Sequence, residues 1–539
     1  MDAPMVTSLG HAGLRIETPD LRLLADPWLS PGGAFLGSWF PLPDNSHLRT
    51  AQIFDCDWVA VSHEHLDHLD LPLLASLPSH VRVVVPRYPS PILRTRLLEA
   101  GVRHVVELDA WERLPLNTSG DWMTVIPEQS PMCHDAAIMV VAAGRAIMHT
   151  NDARLSLTQA RRAMAEVGGP LDFMAVQMSG ASWHPICYEY PEDVAARICA
   201  EKRAGKFKAV TRLLRGAQPK VVMPYAGPPC FLDSDLRQHN RWIPEPGIFP
   251  DPAQAARWLD DRLPHQQTVT MLPGDTFDLG SGRVLRDPHW DGFAWDDLDG
   301  YLEAYAERRA AELATVHASY PEPDPASALD ERFAEHFRRL GSMSGYFLER
   351  IGLTLRFDVL GPAGGTWDVI LGQPSVAVHL TPRSRTAQYR LRLDSRWLDA
   401  VITGRARWEE LFLSLRFSAW REPDVYNDYL VGLLKHADPS ALEAVEAYET
   451  SRDPADTVVI SADGGSWEVS RFCPHAGEDL EMGAVVSGGV LRCLGHNFDF
   501  DLTTGRCLNA RCDPIVARPI EAPRPAQHAE GLQETRGPA

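Results

Sequence analysis

The sequence predicts a soluble multidomain chain in three parts: an α/β layered domain, a small α+β domain and an all-β domain. Three observations predict it. A length of 539 residues, at about 150 residues per domain, gives roughly three or four cores. The first ~285 residues alternate short apolar strands with amphipathic helices, whereas the last ~85 are short-stranded and punctuated by glycine. Hydrophobic residues make up 45% and charged residues 23%, proportions of packed protein that argue against wholesale disorder.

Taken in order, strands are expected over 21–25, 58–62, 81–85, 123–126, 137–141, 173–177 and 220–223, each bounded by Gly, Pro or Asp turn signals. Helices are expected over 91–100, 155–167 and 191–214. Two short strands around a Pro-Gly-Asp turn at 273–275 close this domain, giving it bounds of 1–285. A helical linker over 286–328 ends in the Pro-rich string 320–325. The α+β domain, 329–440, carries strands over 353–359, 366–371, 376–380 and 389–393, then helices over 395–416 and 423–435. The all-β domain occupies 455–530.

Charge and cysteine usage narrow the function. A formal net charge of −20 argues against a nucleic-acid-coating protein, because phosphate backbones are held by clustered Lys and Arg. The amino terminus lacks a basic stretch followed by an apolar core, and no apolar run is long enough to span a bilayer, so neither a signal peptide nor a membrane anchor is expected. A cytoplasmic enzyme is the expectation. Nine cysteines are too few for a disulfide-stapled scaffold. Four of them, Cys473, Cys493, Cys507 and Cys512, fall within forty residues of one another.

Cys473-Pro474-His475, then seventeen residues, then Cys493-Leu494-Gly495-His496 forms two short hooks, each presenting one thiolate and one imidazole. Zinc accepts the same ligand types, so the donors alone leave the metal open. The glycines at 477, 483, 488 and 489 and the run Asn497-Phe498-Asp499-Phe500-Asp501-Leu502-Thr503-Thr504-Gly505 resemble a Rieske domain. That resemblance implies a [2Fe–2S] cluster held by Cys473, His475, Cys493 and His496, with Cys507 and Cys512 outside the ligand set. Such a cluster moves single electrons, so a second redox centre is expected in the chain or in a partner.

The expected strand 58–62 runs into His63-Glu64-His65-Leu66-Asp67-His68. Two imidazoles at spacing two reach one metal, while the Asp and the next His turn toward a neighbouring position. This H-x-H-x-D-H pattern resembles the metallo-β-lactamase fold, an αββα sandwich, and Gly10-His11-Ala12-Gly13 with Ala25-Asp26-Pro27-Trp28 resembles its opening hairpin, where an Asp braces the metal loop. The resemblance implies a metal held by His63, His65, Asp67 and His68, with Asp67 and His68 also catalytic. Asp152 matches the bridging or capping Asp of the fold, and His134 is the expected third imidazole, with His149 and His184 as rivals. Where hydrolytic members place a last His after the Pro of the late strand, Pro224-Tyr225-Ala226-Gly227 offers Ala226. That departure favours a mononuclear or asymmetric iron site over a dizinc hydrolase.

The two modules together, with Asn151-Asp152-Ala153-Arg154, Met178-Ser179-Gly180-Ala181-Ser182 and Leu272-Pro273-Gly274-Asp275, resemble the CMP-N-acetylneuraminate hydroxylase family, in which the Rieske domain leads rather than trails. The resemblance implies a Rieske-coupled non-heme iron oxygenase, mono- or dinuclear, that inserts one atom of O₂ into a small polar metabolite by C-hydroxylation or amine N-oxygenation. Electrons would come ultimately from NAD(P)H through a ferredoxin, cytochrome or flavin reductase. A basic helix over 201–215 makes an anionic substrate one expectation and a solvated face the other. No nucleic acid or membrane partner is expected, and a homo-oligomer is allowed. The middle domain loosely resembles sterol-carrier-like domains, with packing or substrate shielding as its expected role. A zinc metallohydrolase of phosphodiester or lactone bonds, with a redox-sensing Rieske domain, is the alternative.

Overall fold

A computed structural model of the chain describes residues 3–520 apart from 181, 373–374, 382–386, 452, 454, 463–464, 475–476, 495–497 and 511, and apart from the side chains of 51, 462 and 482. His475 and His496 therefore lie outside the described residues.

The first domain is two facing sheets with helices outside them. One sheet has eight strands, its central members Met5–Gly10, Gly13–Thr18, Leu21–Ala25, Trp58–Ala60 and Arg82–Pro86; the other has seven, including Trp122–Pro127, Ala136–Ala142, Arg145–His149, Phe173–Gln177 and Val221–Tyr225. Side chains on a strand alternate between faces, and here both faces are buried. Leu23, Ala25, Trp58 and Ala60 point between the sheets toward Val125, Ile138 and Phe173. Their neighbours Leu24 and Val59 point outward under Leu93 and Leu97 of the outer helix Ile92–Glu99. Near-continuous apolar runs are what such doubly covered strands require. On the other side, helices Leu157–Val167 and Glu192–Ala217 cover the second sheet.

The segment expected to be a linker does hold helices, Asp299–Arg308 and Ala310–Ser319, but they are packed onto the first domain. Tyr305 is buried against Phe40, and Arg309 pairs with Asp44 at 2.9 Å.

The middle domain is a five-stranded sheet, in order Ser375–His379, Gly365–Gly372, Leu353–Leu360, Tyr389–Asp394 and Phe417–Arg421. The single helix expected over 395–416 is two, Ser395–Ile402 and Trp408–Leu413, broken where Gly404 takes a φ of +75° that glycine adopts without penalty. The strand Phe417–Arg421 follows and was not legible as one. The interior is filled by Phe333, Phe337, Phe357, Trp367 and Trp408, aromatic packing that favours a structural core over a lipid tunnel.

The last domain has two three-stranded sheets: Thr457–Ala462, Gly465–Ser470 and Ala517–Ile520; then Ala484–Ser487, Val490–Cys493 and Phe498–Asp501. Cys473 sits in a turn closed by its own N–H to the Glu478 carbonyl at 2.8 Å, and Cys493 ends a strand paired with Phe498. Both sulfur-bearing side chains are buried. The domain rests on the first one: Arg471 donates to Thr158 Oγ1 at 3.3 Å and Arg212 donates to the Ala484 carbonyl.

Candidate metal centre

The loop after strand Trp58–Ala60 is held from beneath by Asp26. Its Oδ1 accepts the Ser62 N–H at 2.7 Å and its Oδ2 accepts the Ser62 hydroxyl at 2.6 Å. Oδ2 also meets His68 Nδ1 at 2.9 Å and His149 Nε2 at 3.0 Å. Burial alone would raise the Asp26 pKa; bonds to His149 and His68 outweigh it and hold the carboxyl well below its usual range. Asp26 adopts a φ of +44° and His11 one of +48°, a conformation non-glycine residues enter at a cost.

Two clusters of donors form above that base. In the first, His63 Nε2 and His65 Nδ1 lie 3.0 Å apart and Asp135 Oδ1 lies 3.7 Å from His63 Nε2. In the second, Asp67 Oδ2 lies 2.9 Å from His11 Nε2 and 3.7 Å from His68 Nε2. Asp152 Oδ1 stands 3.5 Å from His68 Nε2 and forms a third grouping with His63 and His68. Within each of the three, the donor atoms lie no more than 4.8 Å from one another. A metal pair fits these donors: His68 Nε2 and Asp67 Oδ1 are buried with no hydrogen-bond partner, a cost that a bound cation removes. The donor set is imidazole and carboxylate with no thiolate, which suits iron, manganese or zinc.

The expected ligands divide accordingly. His63, His65, Asp67, His68 and Asp152 come together. His134 does not join them: its Nδ1 lies 3.4 Å from Glu64 Oε1 and its ring stacks on Tyr88. The next residue, Asp135, reaches the centre instead, because one step along an extended segment reverses the side chain. His149 braces Asp26 from behind, with Tyr225 Oη at 2.5 Å from its Nδ1. His184 lies at 3.2 Å from Tyr190 Oη and 3.1 Å from Arg421 Nη2, in a cavity wall away from the metal donors. Asp135 and His11, which the sequence did not single out as candidate ligands, stand in these donor clusters. His11 was singled out only as part of the opening hairpin; in the structure Ala226, where the fold's last His was expected, gives its N–H to the His11 carbonyl at 3.1 Å.

The centre opens on a cavity of about 520 Å³ walled by all three domains, among them Asp152, Trp183, Lys206, Glu409, Arg421 and Leu494. Lys202 Nζ donates to Ser182 Oγ at 2.8 Å and the His184 carbonyl at 2.9 Å; Lys206 Nζ donates to the Ser179 carbonyl at 2.6 Å and to Gln177, whose amide in turn donates to Asp152. Among the described residues neither lysine has a carboxylate in ion-pair contact. Burial pushes their pKa values down, to about 8 for Lys202 and about 7 for Lys206.

Two family models match the chain: a beta-lactamase superfamily domain over residues 21–189 and a Rieske [2Fe-2S] domain over 433–519. A Rieske 2Fe-2S iron–sulfur protein of Mycobacterium tuberculosis is 31% identical over 94% of this chain and 98% of its own length. The chain belongs to this family of Rieske iron–sulfur proteins. That relative aligns with the chain nearly end to end. Cytidine monophosphate-N-acetylneuraminic acid hydroxylase of Cricetulus griseus is 25% identical over 78% of this chain and 73% of its own. The crystal structure of CmlA, a diiron β-hydroxylase from Streptomyces venezuelae, is 20% identical over 53% of this chain and 55% of its own, with a TM-score of 0.34. This Rieske protein is an oxidoreductase, and among the described residues no helix is long and apolar enough to cross a membrane.

Proposed function

We propose that this Rieske protein is a cytoplasmic oxygenase that inserts one atom of O₂ into a small anionic metabolite, using a pair of non-heme irons in its first domain. The observation that carries this reading is the repetition of a two-histidine, one-carboxylate set, His63, His65 and Asp135 beside His11, His68 and Asp67, with Asp152 between them. That donor set, with positions left open, is the one non-heme iron oxygenases use. Catalytic zinc accepts two imidazoles and one carboxylate as well, so the identity of the bound metal separates this reading from a hydrolase.

When bound, the irons and the Rieske cluster would supply O₂ activation and single electrons respectively. The chain's own residues do the rest. Lys202 and Lys206 bind an anionic group of the substrate from helix Glu192–Ala217, one helical turn apart. Gln177 links Lys206 to Asp152 and fixes the carboxylate that faces both clusters. Trp183 and Leu494 exclude water from the cavity. Support for electron delivery within one chain comes from the packing of the Cys473 turn: a Cβ on Gly477 would press on Tyr448 and come 3.3 Å from Ser130, in the segment that leads to Asp135. An external ferredoxin, cytochrome or flavin reductase fed by NAD(P)H completes the route, and assembly into a homo-oligomer is compatible with it.

The test is metal analysis of anaerobically purified protein followed by reductant-dependent O₂ uptake. Iron in excess of the cluster's two atoms, with uptake that saturates on adding reductant, is expected. Zinc in the first domain, or iron limited to the cluster, overturns the reading.

A further inference from the structure

The middle domain reaches the metal centre through one side chain. His65 turns its Nδ1 toward His63 Nε2, so its other nitrogen points away from the donor cluster, and there Nε2 meets Glu409 Oε1 at 2.9 Å. Glu409 is the second residue of helix Trp408–Leu413, in a domain separated from His65 by the whole linker. It is 4% exposed. Lys435, on helix Asp428–His436, holds the same Oε1 at 3.1 Å. Glu409 Oε2 has no hydrogen-bond partner.

The docking of this helix is separate from that contact. Glu410 Oε1 pairs with Arg96 of the first domain at 2.8 Å, Arg407 Nη1 lies 3.6 Å from Glu64, and Trp408 is buried with its indole N–H 2.9 Å from His336 Nε2. These contacts would seat the helix without Glu409. A buried carboxylate and ammonium cost several kcal/mol each to desolvate, and an apolar side chain at 409 would pack at less cost. What the carboxylate adds is chemical: accepting the Nε2 proton fixes the tautomer of His65, points the Nδ1 lone pair at the donor cluster and makes the imidazole a stronger base.

We propose that Glu409, anchored by Lys435, is a positioning residue for the metal ligand His65, so that the middle domain completes the metal centre of the first domain rather than only covering it. This rests on the reading of His65 as a ligand. A carboxylate behind a ligating histidine is worth about 10- to 100-fold in metal affinity.

The experiment is a cobalt(II) titration of the full-length protein, cluster in place and first-domain metal removed, followed by the visible absorption of bound cobalt. Glu409→Ala is expected to weaken cobalt binding about 10- to 100-fold and to shift its absorption bands, and the near-isosteric Glu409→Gln, which keeps an acceptor but not the charge, to fall between Ala and the unmodified protein. Trp408→Phe, which removes the indole bond to His336 and loosens the same helix without touching the His63–His68 loop, is expected to lower the melting temperature and leave the cobalt spectrum unchanged. Should Glu409→Ala prove too unstable, the Gln variant carries the test. Variants that bind cobalt with unaltered affinity and spectrum overturn the positioning role alone. Unmodified protein that binds no cobalt in its first domain overturns the ligand reading and this proposal with it.

Discussion

His68 and Asp26 meet at 2.9 Å with both side chains wholly buried. Because Asp26 takes the Nδ1 proton, His68 presents Nε2 to Asp67 and Asp152. The same carboxylate carries Ser62 and His149, so one residue sets the base of the whole centre. Asp26→Asn keeps the volume but removes the charge that both imidazoles use. Iron bound in the first domain should fall about 10- to 100-fold in affinity, while the Rieske absorption and EPR signals stay as they were. Iron analysis against those spectra separates the two; loss of both would mean that Asp26 serves the fold rather than the centre.

Asp135 and His134 are adjacent and make opposite predictions. Asp135→Ala should empty the position shared with His63 and His65 with little change in melting temperature, since Asp135 is only partly buried. His134→Ala should leave metal content intact and cost stability, because it removes a ring packed between Tyr88 and His436. About 1 to 3 kcal/mol is expected for the lost packing and the lost contact with Glu64. Thermal denaturation and iron analysis of the two variants check both, and a reversed pattern would restore His134 as the ligand.

How far the sequence could be read follows the range of each interaction. Strands Leu21–Ala25 and Phe173–Gln177 were legible to the residue, since each is a local apolar run between turn signals. So was the loop His63–His68, whose four candidate donors fall within six residues. His11 was visible only as part of a hairpin, because its approach to Asp67 depends on how two distant strand ends meet. Asp135 was hidden by parity: nothing local says which of two neighbouring polar residues an extended segment turns inward. Glu409 lay beyond reach altogether, since it enters the site by the docking of one domain on another. The break at Gly404 was missed because the helical spacing of apolar residues runs on past it, from Leu398 and Val401 to Trp408, Leu411 and Phe412.

Lys202 and Lys206 give the site a pH dependence. With pKa values pushed down to about 8 and about 7 by burial, each lysine loses charge as pH rises through its own value. An anionic ligand favours the charged forms, so its binding takes up protons. Affinity for an anionic substrate or competitor should therefore be greatest below pH 7 and fall as pH rises from about 7 to about 9, by up to about tenfold per unit for each lysine that titrates. Lys206→Met should flatten the lower part of that profile and Lys202→Met the upper part. Calorimetric titration with an anionic competitor across this range checks it, and affinity that rises with pH would remove the lysines from substrate binding.

The turn that carries Cys473 gives a test of electron delivery that leaves both metal sites in place. Gly477 has a φ of +73° and donates its N–H to the Cys473 carbonyl at 3.0 Å, so the turn tolerates a side chain there at about 1 kcal/mol. The larger effect is at the interface, where an added Cβ would meet Tyr448 and Ser130 and push the turn off the segment leading to Asp135. Gly477→Ala should therefore keep the cluster's spectrum and the first-domain iron content, yet slow reduction of that iron by the cluster at least tenfold, because transfer falls steeply with separation. Rapid mixing of pre-reduced protein with O₂, followed at the cluster's visible absorption, measures it directly. Reoxidation at the unmodified rate would mean that electrons reach the first domain from the Rieske domain of another subunit.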